Sequence, residues 1–240
     1  MPVPGLGFSS TSRCLESNCQ ALNQSKRKIM LLLNRTMVTT GDMEVILPLV
    51  QELVAVAQKD AGVHIKAWAG FHGYALGTVV FSATAESVAE SAANAAKLSA
   101  SKAWREAGRK FRSHVQSKEA DTILQYIRGG SMGNDIPVGT IVQATTFQVA
   151  QDADWVSALK WANDFADVKK KVTGTDTNVL HTVYGVLGGI GMLTGFANAA
   201  AVDTYREKIS ANPEFMTKFL EGAKLAVAGT VLQRQIIKIV

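Results

Sequence analysis

Residues 63–90 read VHIKAWAG, FHGYA, LGTVVFSAT, AESVAE. Alternating, β-branched runs on either side of Gly70, Gly73 and Gly77 predict a strand, a short turn and a second strand. A helix then opens after Thr84, read as its N-cap. Residues 178–205 read NVLHTVYG, VLG, GIGMLTGFAN, AAAVDTY, a weaker version of the same succession with a shorter turn.

The flanking segments extend each version in the same way. Ile29–Val38 is an apolar run that predicts a buried strand, interrupted by Asn34 and Arg35. Apolar residues from Met43 to Lys59 fall at helical spacing, with Pro48 near the start. Residues 85–115 predict one long Ala-rich helix or two consecutive ones, whose small residues suit packing on a sheet. Residues 121–128 predict a strand. In the second version, strand 137–149 leads to a helix over 155–170 capped by Asp152–Asp154. Strands 178–185 and 189–196 follow, then a helix from Ala197 interrupted at Asn212–Pro213, and a last strand over 230–240. Matched positions support a repeat: Asp42 with Asp152, Gly77 with Gly191, Val88 with Val202, and Asp121–Gln125 with Gly229–Gln233. Each half reads β-α-β-β-α-β. The expected organisation is a flexible N-terminal tail over 1–27, a first repeat over 28–131 and a second over 137–240, joined by GSMGND (130–135).

Composition sets bounds. The chain has 240 residues, 47% apolar and 19% charged, with net charge +5. That is ordinary globular composition. The densest basic runs, Lys26–Lys28 and Lys169–Lys171, read as solvated surface rather than a nucleic-acid footprint. Cys14 and Cys19 lack the further Cys or His of a zinc site and read as reduced thiols. No signal peptide or 18-residue apolar run is visible, so the expectation is a cytoplasmic protein without membrane contact.

The β-α-β-β-α-β unit is the ferredoxin-like arrangement. Two such units with Gly-rich strand connections resemble the dimeric α+β barrel superfamily, which includes antibiotic-biosynthesis monooxygenases and NIPSNAP-like proteins. The resemblance covers roughly residues 28–240 and implies an α+β fold in which the two units close into a pseudo-dimeric barrel, with helices outside. It implies a small-molecule enzyme: a cofactor-independent oxygenase, or a cyclase-like tailoring enzyme for an aromatic polyketide-type substrate, with no cofactor or metal. The same resemblance leaves open a non-catalytic ligand-binding or assembly protein and a haem-binding member. The expected partner is a small hydrophobic or aromatic molecule, and homo-oligomerisation is left open. Sites in this superfamily lie between each sheet and its helices or within the barrel.

Candidate residues come from the strands. Alternation places His64, Lys66 and Trp68 on one face of a strand and Val63, Ile65, Ala67 and Ala69 on the other. The first three could line a pocket, form a solvated face or pack a seam. His64 and His72 are candidate general bases, since histidine titrates near neutrality. Asn34 could donate to developing negative charge. Trp68, Lys66, Arg35, Tyr74, His181 and Tyr184 are candidate substrate contacts, with His181 expected opposite Lys66. Trp104, Trp155 and Trp161 read as core. Gln125 and Gln233 read as equivalent structural positions. GVLGGIG (185–191) is followed by a strand and lacks the Lys-Ser/Thr ending of a phosphate loop, so nucleotide binding is rejected.

Overall fold

The computed structural model describes residues 30–117, 121–131, 133 and 135–240. The tail over 1–27, with Cys14 and Cys19, lies outside these residues, as does Ile29. The first half runs β1 (Leu31–Val38), α1 (Met43–Ala61), β2 (Lys66–His72), β3 (Thr78–Ala85), α2 (Val88–Ala100), α3 (Lys102–Arg112), β4 (Asp121–Arg128). The second runs β5 (Ile141–Gln148), α4 (Trp155–Thr173), β6 (Thr177–Tyr184), β7 (Gly189–Phe196), α5 (Ala199–Ser210), α6 (Pro213–Ala223), β8 (Leu232–Lys238).

All strand pairs are antiparallel, and the strands form a closed barrel in the order β1-β3-β2-β8-β5-β7-β6-β4. Each half contributes four neighbouring strands in the ferredoxin-like order, β4-β1-β3-β2 and β8-β5-β7-β6. Two seams join them: β2 with β8, where Trp68 faces Lys238, and β4 with β6, where Leu124 faces Thr182. Closure leaves no sheet edge to aggregate.

Local devices repeat across the halves. Gly77 and Gly188 precede β3 and β7 with φ of 76° and 71°, a conformation glycine adopts without steric cost. Their carbonyls accept from the Thr39 and Val149 amides, each at 2.9 Å. Ser87 and Asn198 cap α2 and α5. Ser101 and Asn212 cap α3 and α6 and so break each predicted long helix in two.

These correspondences correct several expected matches. The cap is Ser87, because Thr84 is still within β3. Gly77 matches Gly188 rather than Gly191, and Val88 matches Ala199 rather than Val202. Gln125 faces Leu31 on β1, while the residue facing the equivalent Ile141 on β5 is Ile237, so Gln125 and Gln233 are not equivalent. The alanines of α2 do not pack on the sheet: none of its residues is buried, and it rests mainly beside α1 and α3.

The helices cover the outer face of the barrel. In the first half Ile46, Val50, Leu53, Ala107 and Phe111 pack on Ala67 and Val79. In the second, Trp161, Phe165 and Phe215 pack on Phe147, Val179, Ile190 and Met192. Each fully buried large side chain contributes about 1.5–3 kcal/mol. Trp155, Trp161 and Trp104 join these layers, as expected. Lys169 is buried at 3% exposure, with its ammonium 5.0 Å from the Phe165 ring centroid. Burial pushes its pKa down to about 8.

Two outcomes follow from this architecture. Residues 1–131 and 132–240 expressed separately should not give soluble, cooperatively melting monomers, because each would expose both seam strands; circular dichroism melts and size exclusion check this. Lys169 binds its proton more weakly folded than unfolded, so the unfolded chain holds more protons between pH 8 and 10 and stability rises over that window. Lys169→Met should raise the melting temperature at pH 7 and flatten the rise, an effect on the order of 3 kcal/mol at 1.4 kcal/mol per pKa unit. An unchanged pH profile in the variant would count against that assignment.

Candidate functional site

Alternation along the strands sends one set of side chains to the helices and the other into the barrel. On β2, Ala67 packs with α1 and α3 on the outside. Trp68 points inward, against Val80 of its own half and Val142 of the other, with Ile136, Leu193 and Ile236 around it. The same parity carries Lys66 inward. Across the first four strands the inner face then presents a polar row in direct register: Lys66 opposite Ser82, Ser82 opposite Asn34, Asn34 opposite Thr122.

Two buried polar atoms on this face have no hydrogen-bond partner among the described residues: the Asn34 Oδ1 and the Trp68 Nε1. Trp68 is 4% exposed. An unsatisfied buried polar group costs about 1–3 kcal/mol. Lys66 and Lys238 are buried at 8% and 7% exposure on either side of the β2–β8 seam. The Lys66 pKa is lowered, first by burial and then by the charge of Lys238; burial lowers that of Lys238. The Lys238 ammonium donates to the main-chain oxygen of Val240.

The second half shows what the fold itself requires at these positions. By strand register, Asn34 corresponds to Ala144, Ser82 to Leu193, Trp68 to Leu180 and Lys66 to Asn178. Asn178 is satisfied, holding the linker through the Gly130 amide at 3.3 Å and the Gly130 carbonyl at 3.2 Å. Ala144, Leu193 and Leu180 place no polar group inside the barrel. The first half therefore carries polarity that barrel closure does not need.

The other candidate residues fall elsewhere. His64 precedes β2 and is exposed, so it does not share a strand face with Trp68; the strand starts only at Lys66. His72 ends β2, exposed, with its ring 4.1 Å from that of Phe71. Tyr74 lies under the Arg234 guanidinium, 5.1 Å from its ring centroid. Arg35 points outward and binds Asp121 bidentately at 2.6 and 2.5 Å, which holds its charge. His181 is not opposite Lys66. It sits on the outer face of β6 with its ring centroid 6.0 Å from that of Trp155, and burial lowers its pKa. Tyr184 is 55% exposed. Sequence reasoning missed Ser82 and Lys238, which lie on β3 and β8 and reach this face only through the pairing of those strands with β2.

Among the described residues no cluster of His, Cys, Asp or Glu could hold a metal. Around the aromatic side chains in the layer between sheet and helices of the second half there is little open space. Phe147, Trp161, Phe165, Met192 and Phe219 leave a cavity of about 30 Å³ there, whereas small-molecule sites span about 300–1,000 Å³. No described helix is long and apolar enough to cross a membrane.

Removing the unpartnered groups should not weaken the fold. Asn34→Ala and Trp68→Phe are expected to leave the melting temperature unchanged or raise it, by up to about 1–2 kcal/mol of stability. A loss of more than that in thermal denaturation would mean that both groups are structurally bonded.

No family model and no curated protein matches the chain. Solved structures do. A candidate monooxygenase from Fusobacterium nucleatum subsp. nucleatum superposes with a TM-score of 0.62 at 8% identity, over 90% of this chain and 94% of that one. An anthrone oxidase-like protein gives 0.61 at 15% identity, over 89% and 92%. A candidate chlorite dismutase gives 0.54 at 9% identity, over 88% and 94%. The chain thus carries the dimeric α+β barrel fold, as two ferredoxin-like units fused in one polypeptide.

Proposed function

We propose that the protein is a cofactor-independent oxygenase, or a cyclase-like tailoring enzyme, for a hydroxylated aromatic substrate of polyketide type. The observation that carries this reading is the pair of unpartnered buried groups inside the first half, the Trp68 N–H and the Asn34 Oδ1. A ligand hydroxyl or carbonyl has what each lacks: an oxygen to accept from the indole and a proton to donate to the amide oxygen. The likeness to an anthrone oxidase-like protein points the same way.

On this reading Trp68 offers a flat apolar wall and Asn34 fixes the orientation of the oxygenated ring. Lys66, on the inner face opposite Ser82, is the group that accepts a proton when neutral and pairs with the resulting anion once protonated. For an anthrone-type substrate it takes a proton from the methylene between the rings. The resulting carbanion gives one electron to dioxygen, and the radical pair combines to a hydroperoxide. Loss of water leaves a ketone, so that CH2 and O2 become C=O and H2O. His64 and His72, both exposed, take no part in the proton step. The competing reading is a binding protein on the same barrel, whose layers between sheet and helices are filled by its own side chains.

Dioxygen uptake with anthrone as substrate tests the proposal. Wild type should consume dioxygen. Asn34→Ala, Trp68→Phe and Lys66→Met should each lower kcat by about 10²-fold or more, the usual scale for a lost acid–base or oxyanion group, without lowering the melting temperature. Uptake that survives all three substitutions would sink it. Ligand binding without uptake would favour the binding protein.

A further inference from the structure

We infer that the β2–β8 seam holds an oxyanion site, formed by Lys66 and Lys238 together with the Trp68 N–H, and that the ligand of the barrel binds there as an anion. The inference rests on placing the site inside the barrel, as above, but not on the oxygenase reaction.

Lys66 and Lys238 are each more than nine-tenths buried and share the inner face on adjacent strands, close enough for the charge of Lys238 to bear on Lys66. Lysine is almost never fully buried unless it is paired. No described ion pair involves either residue. Lys238 donates to an oxygen of Val240, which leaves Lys66 as the ammonium with no described partner. The charge of Lys238 disfavours that of Lys66. An oxyanion between them reverses the sign of that interaction and supplies an acceptor for the buried indole N–H. Ser82, directly opposite Lys66, adds a hydroxyl that can donate as well. The counterpart positions argue for a built feature. Where the β2–β8 seam has Lys66 and Trp68, the β6 strand has Asn178 and Leu180, and Asn178 is committed to the linker.

The shared chemistry is an oxyanion, which a free phosphate and an aromatic carboxylate or phenolate both provide. The seam sits among Val80, Val142, Leu193 and Ile236, which favours an anion carried on an apolar ring system.

Isothermal titration at pH 7 of the full chain separates the outcomes, with 2-naphthoate, neutral 2-naphthalenemethanol and inorganic phosphate as probes. The expected result is that naphthoate binds about tenfold or more tightly than the carbinol, the scale set by one buried charge pair. Lys66→Met and Lys238→Met should each remove that preference, with the melting temperature kept or raised. Phosphate binding that also depends on both lysines would support the oxyanion site and place it apart from the aromatic substrate. Equal affinity for naphthoate and carbinol would overturn the inference. So would a preference that survives both substitutions, or no binding of either anion. Dioxygen uptake judges the reaction separately, so the two proposals can fail independently.

Discussion

Everything in this structure depends on the two seams that close the barrel. Neither four-stranded sheet can stand alone, because β2 and β4 in the first half, and β6 and β8 in the second, would each present unpaired amides and carbonyls. Pairing β2 with β8 and β4 with β6 satisfies those groups and buries the inner faces of both sheets at once. The cost falls on the inner face. Side chains near its middle leave water whatever their chemistry, so a polar atom buried there must find a partner or remain unsatisfied.

That constraint makes the difference between the halves informative. The outer faces are built alike, with glycine turns, paired caps and an apolar layer under the helices in each half. The inner faces differ. Ala144, Leu193 and Leu180 meet the demand of closure with apolar atoms, while Asn34, Ser82 and Trp68 do not. A fold under no other requirement has an evident solution at these positions, because the second half uses it. Retaining two unpartnered buried atoms in the first half, beside Lys66 and the Lys238 of neighbouring β8, runs against stability, and such conflict between local chemistry and global fold marks functional sites.

Much of the architecture was legible in the sequence. The strand-turn-strand signal around Gly70–Gly77 and its weaker copy at 178–196 gave the element order, and apolar periodicity placed the helices. Strand parity also put Lys66 and Trp68 on one face. Register was harder to read. Matching identical residues aligned Gln125 with Gln233 and Gly77 with Gly191, whereas hydrogen bonding aligns Gln125 with Ile237 and Gly77 with Gly188. Irregular pairing between β4 and β6 adds to this, because register shifts at Ile123/Leu124 and Tyr126/Arg128 erase any simple count. His64 was assigned to a strand that begins two residues later. No local pattern says which strand face becomes the barrel interior, since that follows from which edges pair. The unpartnered state of Asn34 and Trp68 is likewise a property of their surroundings.

The layers between sheet and helices are filled by the chain's own side chains. In the second half, Trp161 stacks on Phe165 with centroids 5.1 Å apart, meets Phe147 edge-on at 5.6 Å, and donates its indole N–H to the Lys218 carbonyl at 2.8 Å. Gly222 makes this possible: a Cβ there would lie 1.9 Å from the Trp161 ring. The absence of a side chain at Gly222 lets α6 approach until the aromatic cluster is closed, leaving room for about one water. In the first half Phe111 meets Phe81 edge-on at 5.5 Å and closes the equivalent layer. In that second-half layer the Trp161 indole N–H is bonded, while the buried Lys169 ammonium has the Phe165 ring beside it. The inner face of the first half keeps one unmet donor and one unmet acceptor, the Trp68 N–H and the Asn34 Oδ1, and a ligand gains binding energy only where the protein has left something for it to complete.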